Sequence, residues 1–108
     1  MPIKDTILAA KDSALEALEI QEWDCTIHLR QWTGEERNKV IACKDDLKKL
    51  SELVLMLTIC EESGERCFDD KTVKQLMGKS HIVLDRITQA ALKHNGLYAE
   101  ASEDAKKN

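Results

Sequence analysis

The stretch EWDCTIHLRQWTGEER, residues 22–37, joins two tryptophans, an alternating apolar run and a helix start. Ile27 and Leu29 alternate with polar neighbours at the period of two that a half-buried strand requires. Thr33 and Glu36 have the spacing of a capping box, in which each side chain accepts a hydrogen bond from the backbone N–H of the other residue. The stretch therefore predicts a strand that leads into a capped helix.

The segment before this stretch is the first arm of a predicted hairpin. Leu18 and Ile20, separated by a polar residue, fit a strand, whereas Leu15 together with Leu18 fits one face of a helix. Both alternatives are open at this level. Because a second strand follows so closely, we interpret residues 17–21 and 25–31 as the arms of a β-hairpin.

An apolar helix is predicted in the middle of the chain. Asp45 and Asp46 are candidate N-caps, and apolar residues recur at helical spacing over residues 47–59 until the segment is apolar nearly all round. Residues 55–60 fit a strand equally well. A helix of this kind is either central to the core or covered by another subunit.

A tight turn and a short helix are predicted next. Gly64 supplies the positive φ that such a turn requires. Asp69 or Asp70 is the candidate cap of a short helix that ends near Gly78.

The order of these elements predicts an α+β fold: a small, predominantly helical domain with an N-terminal β-hairpin packed on three to four helices. A closing helix begins after Ser80 and stops at Gly96. We divide the chain into an N-terminal arm (1–13), a single globular domain (14–97) and a flexible C-terminal tail (98–108).

The composition restricts the classes of function. The 108 residues include 20 acidic and 16 basic side chains, which leaves a net charge of −4. This balance, without any tract of five or more Lys or Arg, opposes binding to phosphate backbones and anionic surfaces. The longest apolar run, residues 53–60, is too short to cross a bilayer. We expect a soluble, cytoplasmic protein that binds neither nucleic acid nor membrane.

The cysteines predict reduced, mostly buried thiols, because none of them forms a C-x-x-C pair. Cys67, beside Arg66, is the candidate for a reactive thiol, although packing beside Phe68 is its simpler role. A zinc site with His28 or His81 lacks the usual ligand spacing, so no metal and no cofactor are predicted. The four residues are Cys25, Cys43, Cys60 and Cys67.

The sequence lacks a recognisable catalytic constellation. His28, His81 and His94 are scattered, and no G-x-S-x-G motif or glycine-rich phosphate loop accompanies them. Paired acidic residues lie at the ends of predicted elements, where caps and solvated turns explain them. The chain is therefore not expected to be an enzyme.

DNA binding is the alternative function. Residues 69–96 form a predicted helix, glycine turn and second helix, which loosely matches a helix-turn-helix. The second helix begins SHIVLD, where a recognition helix needs polar side chains facing the bases. Two packed antiparallel helices explain the segment more simply. The candidate phosphate contacts are Lys71, Lys74, Lys79, Arg86 and Lys93.

LEIQEWDCTIHLRQWTGEER, residues 18–37, resembles the N-terminal signature of the tail assembly chaperones of long-tailed bacteriophages and prophages. In that family a strand ends in an E-W pair, a second strand ends in an arginine, and a T-G-x-E-R helix start follows. The family commonly has a proline where Gln21 stands. The matching positions are Glu22, Trp23, Arg30, Thr33, Gly34, Glu36 and Arg37.

Two later segments resemble the same family. LTICEESGERCFDDKTVKQL, residues 57–76, is similar to its apolar run, acidic glycine turn, phenylalanine and acidic helix cap. SHIVLDRITQAALKHNGL, residues 80–97, is similar to its closing helix. The matching positions are Gly64, Phe68, Asp69, Asp70, Ser80, Leu84, Ile87, Ala91, Asn95, Gly96 and Leu97.

The resemblance implies a non-enzymatic role in virion assembly. Such chaperones bind the long, aggregation-prone tape measure protein, keep it soluble until tail tube subunits polymerise around it, and are absent from the finished virion. Many are made in two forms, the longer by a −1 ribosomal frameshift. Lys107 and Asn108, encoded AAA-AAC after a final A from Lys106, would create the slippery heptamer A-AAA-AAC.

We expect the partner-binding surface to be apolar. The apolar band of residues 47–59 suits a homo-oligomer or a groove for a client helix. Tryptophans anchor many protein contacts, which adds both tryptophans to the candidates, although both fit the core of the hairpin as well. The candidate partner-binding residues are Trp23, Trp32, Leu53 and Met56.

Overall fold

A computed structural model of the chain describes residues 2–97. Within them, a three-stranded antiparallel sheet of order β1-β2-β3 combines with five helices. The predicted α+β class, a small and mainly helical domain with an N-terminal hairpin, is confirmed. The strands are β1 (Glu16–Ile20), β2 (Cys25–Leu29) and β3 (Ile59–Cys60), and the helices are α1 (Ile3–Ala9), α2 (Gly34–Ala42), α3 (Leu47–Thr58), α4 (Val73–Leu76) and α5 (His81–His94).

The N-terminal hairpin forms where the alternation of the sequence predicts it. Leu18 lies on β1, opposite Ile27 of β2, so the open choice between helix and strand is resolved as strand. The chain reverses through a single 3-10 turn and Asp24, whose φ of 51° is left-handed. Ile20 and Leu29 are fully buried, which places one face of the hairpin on the core.

The apolar segment in the middle of the chain is both helix and strand. Asp46 caps α3 by accepting a hydrogen bond from the backbone N–H of Lys49 at 3.2 Å, as predicted. The helix continues to Thr58, and the chain then extends directly into β3, where Ile59 pairs with Leu29 of β2. The sheet therefore decides the state of residues 59–60, for which the sequence left both alternatives open.

The turn after β3 contains Gly64 at a φ of 90°, as the sequence predicts. Beyond it, the carboxylate of Asp69 accepts hydrogen bonds from the backbone N–H groups of Lys71 and Thr72, and these bonds hold its pKa below the usual range. Asp69 thus caps the turn that leads into α4, and Asp70 does not take this role. The helix that follows has only four residues.

The core consists of two clusters on either side of α3. The first joins the hairpin to α3, α4 and α5, and the second joins α2, α3 and the end of α5. Ser80 is the N-cap residue of α5, as predicted, although its side chain makes no capping hydrogen bond. The buried residues are Ile20, Leu29, Leu55, Ile59, Val73, Leu76, Val83, Leu84 and Ile87 in the first cluster and Val40, Val54, Leu57 and Ala91 in the second.

Helix α1, in the predicted N-terminal arm, contributes no side chain to the core. Ile3, Ile7 and Leu8 are 75%, 64% and 74% exposed. The arm therefore presents apolar side chains to solvent. The boundaries of arm and domain stay a prediction, and the predicted tail, residues 98–108, lies outside the described residues.

Gly96 and Gly34 allow a matched test of how the backbone conformation at a glycine affects stability. Gly96 follows α5 with a φ of 83°, whereas Gly34 begins α2, and a Cβ added at either position would meet no atom within 4 Å. We expect Gly96→Ala to lower the free energy of unfolding by about 1 kcal/mol, because alanine disfavours the left-handed region. Gly34→Ala is expected to be neutral or slightly stabilising. Urea unfolding measures both, and equal losses would contradict this conformational difference.

Candidate functional site

Arg30 links the end of the hairpin to two helices. One guanidinium nitrogen donates to both carboxylate oxygens of Glu36, at 3.1 and 3.2 Å, and to the backbone carbonyl of Leu57 at 2.8 Å. The side chains of Arg30 and Glu36 are each 18% exposed. The arginine that ends the second strand of the signature therefore joins β2 to α2 and α3.

Trp32 and Asn95 extend this junction to the end of α5. The indole N–H of Trp32 donates to Thr58 Oγ1 at 2.8 Å, and its backbone N–H donates to Asn95 Oδ1 at 2.7 Å. The amide nitrogen of Asn95 donates to the carbonyl oxygens of Arg30 and Ala91, at 3.3 and 3.0 Å. The fully buried hydroxyl of Thr58 is satisfied in this way. Trp32 thus has a structural role at the junction.

The predicted capping box is present at the start of α2. Thr33 Oγ1 accepts from the backbone N–H of Glu36 at 3.2 Å, and Glu36 Oε1 accepts from the backbone N–H of Thr33 at 2.9 Å. Burial acts to raise the pKa of Glu36, but the hydrogen bonds from Thr33 and Arg30 outweigh it and hold the pKa below its usual range. Gly34 is the first helical residue, and Arg37 is exposed on α2.

This depressed pKa predicts acid sensitivity. The ionised carboxylate contributes stability above the ordinary glutamate pKa of about 4.3, and this contribution is lost as the pH falls through the lower pKa of the folded state. We expect Glu36→Gln to show a smaller loss of thermal stability between about pH 5 and pH 3 than the parent chain. The exposed neighbour Glu35, replaced by glutamine, is the matched control. Parallel pH profiles for the parent and Glu36→Gln would contradict the role of this carboxylate.

Glu22 and Trp23, the E-W pair of the signature, attach the hairpin turn to the rest of the domain. Glu22 forms an ion pair with Arg86 of α5, and the hydrogen bond from Arg86 lowers the pKa of Glu22. Trp23 is half-buried and packs against the first core cluster, as Phe68 does. Both aromatic residues therefore contribute to the core.

A groove lies between the end of α2, helix α3 and helix α4. Its apolar lining includes Leu53 and Met56 of α3 and Val73 of α4, and its volume is about 250 Å³. Charged side chains of both signs complete the lining. These are Lys49, Glu52, Asp70 and Lys74.

A second cavity continues the groove along α2. It has a volume of about 490 Å³, shares Leu53, Met56 and Asp70 with the first, and reaches Lys39 and Arg66. Leu53 and Met56 are half-buried side chains common to both cavities. The two together form one continuous surface, which we call the α3 groove.

Two of the four candidate partner-binding residues meet in the α3 groove. Leu53 and Met56 line it, whereas Trp23 and Trp32 line neither cavity. The sequence reasoning missed Lys49 and Glu52, although they precede Leu53 and Met56 at the i, i+3, i+4 and i+7 spacing of one helix face. Partner binding by any of the four candidates stays a prediction.

The fold of the chain is similar to that of a bacteriophage protein of solved structure. No protein-family model matches the chain, and no curated protein matches its sequence. The structure of the bacteriophage HK97 tail assembly chaperone aligns with a TM-score of 0.66 over 87% of this chain and 94% of that chain, at 16% sequence identity. The chain has the fold of a phage tail assembly chaperone. The resemblance drawn from the signature residues is thus confirmed for the fold.

Within the tail assembly chaperone fold, the helix-turn-helix alternative lacks its first helix. Helix α4 has four residues, too few to act as the supporting helix of that motif. Two of the candidate phosphate contacts pair with carboxylates instead, since Arg86 contacts Glu22 and Lys74 lies 3.8 Å from Glu52. These pairs reduce the positive charge available to a phosphate backbone.

Residues 2–97 bring together no group of three or more His, Cys, Asp or Glu side chains able to hold a metal ion. Nor does any helix in this range combine the length and apolar character needed to cross a bilayer.

The expectation of mostly buried thiols is wrong: Cys60 is buried, Cys43 is half-buried, and Cys25 and Cys67 are exposed. Cys25 begins β2 beside the hairpin turn, outside the part of that strand that pairs with β3, and Cys67 follows the open turn.

Of the two exposed cysteines, Cys67 is expected to react more slowly with alkylating agents than Cys25. Partial burial of its sulfur, together with the Glu61 carboxylate that accepts its hydrogen bond at 3.5 Å, raises its pKa to about 11. Both effects disfavour the thiolate form that a reactive Cys67 would need. We expect Cys67 to be alkylated at neutral pH at least about tenfold more slowly than Cys25. Peptide mass spectrometry measures both rates, and Glu61→Gln should accelerate Cys67. Equal rates in the parent chain would contradict the effect of Glu61.

Proposed function

We propose that this chain is a tail assembly chaperone of a phage or prophage, a non-enzymatic protein of virion morphogenesis. The observation that carries the proposal is the similarity of the fold to the HK97 chaperone over most of both chains. The signature residues support it independently, because they make the contacts that hold this fold together. Arg30, Glu36 and Thr33 form one hydrogen-bonded group, and Glu22 ties the hairpin to α5.

The proposed client is the tape measure protein, and the proposed client site is the α3 groove. An apolar side chain on one face of a client helix would contact Leu53 and Met56, as in other helix-in-groove complexes. Lys49, Lys74 and Asp70 would then meet charged residues that flank this face. The groove is small and has charges of both signs, which suits several similar helical segments better than one unique sequence.

Further properties of the proposal follow from the same family role. We propose that the chaperone acts in the cytoplasm of the bacterial host, as a homo-oligomer, and is absent from the mature virion. The exposed side chains of Ile3, Ile7 and Leu8 on α1, with Leu47 on α3, are apolar surface that self-association would cover. A longer, frameshifted form is a second proposed partner, and the coding DNA tests it: codons other than AAA-AAC for Lys107 and Asn108 would remove the heptamer.

Co-expression tests the proposed function. The chain is produced with the long coiled-coil protein encoded nearby in the source genome, and the soluble fraction of that protein is measured with and without the chaperone. We expect the client to become soluble only in the presence of the chaperone and to elute with it in a large assembly. Unchanged solubility without co-elution would overturn the proposal.

A further inference from the structure

Helix α1 has an apolar face that the rest of the domain leaves uncovered. Ile3 and Ile7 lie one turn apart on this helix, and Leu8 borders them on the same side. All three side chains are largely exposed to solvent. Lys4 lies one turn before Leu8 and is therefore on this side as well. The face thus combines apolar side chains with one positive charge.

The segment between α1 and β1 allows the helix to reach another molecule. Residues 10–15 form neither helix nor strand, and their side chains are exposed. Among residues 2–97, the first residue that forms a hydrogen bond with a later element is Ala14, through Gln31 and His94. From Ala9 to this anchored residue the chain can span about 17 Å when it is fully extended.

The α3 groove is a surface that complements this face. Leu53 and Met56 form its half-buried apolar floor, and Asp70 lines both cavities beside them. Two other acidic side chains of the groove, Glu36 and Glu52, already pair with basic residues of the chain. Asp70 has no ion pair among residues 2–97. An unpaired negative charge therefore lies beside the apolar floor.

We infer that α1 of one copy of this chain docks in the α3 groove of a second copy. The apolar face of α1 covers the floor of the groove, as apolar side chains one turn apart do in helix-in-groove complexes. Lys4 then pairs with Asp70, and this pair of opposite charges sets the register of the helix. Within one copy the face stays exposed, so the groove that it fills belongs to another molecule. The inference deepens the proposed homo-oligomer and rests on that part of the proposed function.

Reversing the charge on either surface tests the contact. Sedimentation velocity measures the self-association of the parent chain, of Lys4→Glu and of Asp70→Lys. Both residues are exposed, and Asp69 rather than Asp70 makes the capping hydrogen bonds, so the variants should stay folded, which circular dichroism checks. The matched controls are Lys11→Glu and Asp45→Lys, which make the same charge changes at exposed positions outside α1 and the α3 groove.

We expect each single variant to raise the dissociation constant for self-association at least about threefold, and each control to stay within about twofold of the parent. An equal mixture of Lys4→Glu and Asp70→Lys decides whether the contact joins two copies. In the mixture, each α1 meets a groove of opposite charge on the other variant. The mixture should therefore associate as strongly as the parent chain.

A mixture that associates no better than either single variant would overturn the inference, because the contact would then lie within one copy or on other surfaces. Unchanged association in Lys4→Glu, or a parent chain that stays monomeric, would do the same. Co-expression with the client separates this result from the proposed function, since Lys4→Glu leaves the groove unchanged. A client that stays soluble while the association results fail removes this contact alone. A client that stays insoluble while the charge variants behave as expected removes the chaperone role alone.

Discussion

A chain in which Leu53 is replaced by glutamate is expected to stay folded and to lose its capacity to keep the client in solution. Leu53 is half-buried and lines both cavities of the α3 groove beside Met56. An apolar client side chain entering there would have to desolvate the new carboxylate, which costs more than the roughly 1.5–3 kcal/mol that burying one such side chain contributes. The soluble fraction of co-expressed tape measure protein should fall to its level without the chaperone.

The matched control for this variant is Ile82→Glu. Ile82 is 65% exposed on α5 and lines neither cavity of the α3 groove, so it adds the same charge to an apolar position elsewhere. We expect Ile82→Glu to keep the client soluble, and circular dichroism should confirm that both variants are folded. A folded Leu53→Glu chain that still solubilises the client would exclude the α3 groove as the site while leaving the chaperone role intact.

Arg30→Met is expected to lower the free energy of unfolding by about 2–3 kcal/mol, because it leaves the Glu36 carboxylate and the Leu57 carbonyl without their donor. The side chains involved are only 18% exposed, so water replaces the lost donor incompletely. Urea unfolding at neutral pH measures the loss. Methionine keeps much of the apolar length of arginine, which limits the contribution of lost packing.

Arg37→Met is the control for this prediction, since Arg37 belongs to the same signature but is exposed on α2. Its effect should be less than about 0.5 kcal/mol. The double variant Arg30→Met with Glu36→Gln should recover part of the loss, because it removes the carboxylate that the first change leaves unpaired. Equal effects of the two arginine substitutions would show that the junction does not contribute as its geometry indicates.

Local elements were predictable because their causes lie within a few residues of each other. The alternation of Ile27 and Leu29 predicted β2, and the spacing of Thr33 and Glu36 predicted the capping box that begins α2. Gly64 was assigned to a turn for a similar reason, since a positive φ favours glycine. Each of these features depends on backbone hydrogen bonds and conformational preferences that short sequence patterns express directly.

For the tryptophans, the sequence left partner binding and a place in the hairpin core as open alternatives. Trp32 was a candidate for partner binding because tryptophan is frequent in interfaces, yet its two hydrogen bonds go to Thr58 and Asn95. Asn95 is far away in the sequence, and only the packing of α5 against the hairpin brings it close. The α3 groove likewise exists because α4 places Val73 and Lys74 beside α3.

Neighbouring residues alone specify β2, the capping box of α2, the turn at Gly64 and the order of elements, because each of these depends on short sequence patterns. The tertiary structure alone decided that residues 59–60 leave the helix as β3, since their apolar side chains suit either state and the open edge of β2 offers backbone partners. It also decided which half of the apolar band is core and which half lines the groove. Leu55 is fully buried in the first core cluster while Leu53, two residues earlier, is half-buried in the α3 groove, because residues two apart on a helix project to different faces.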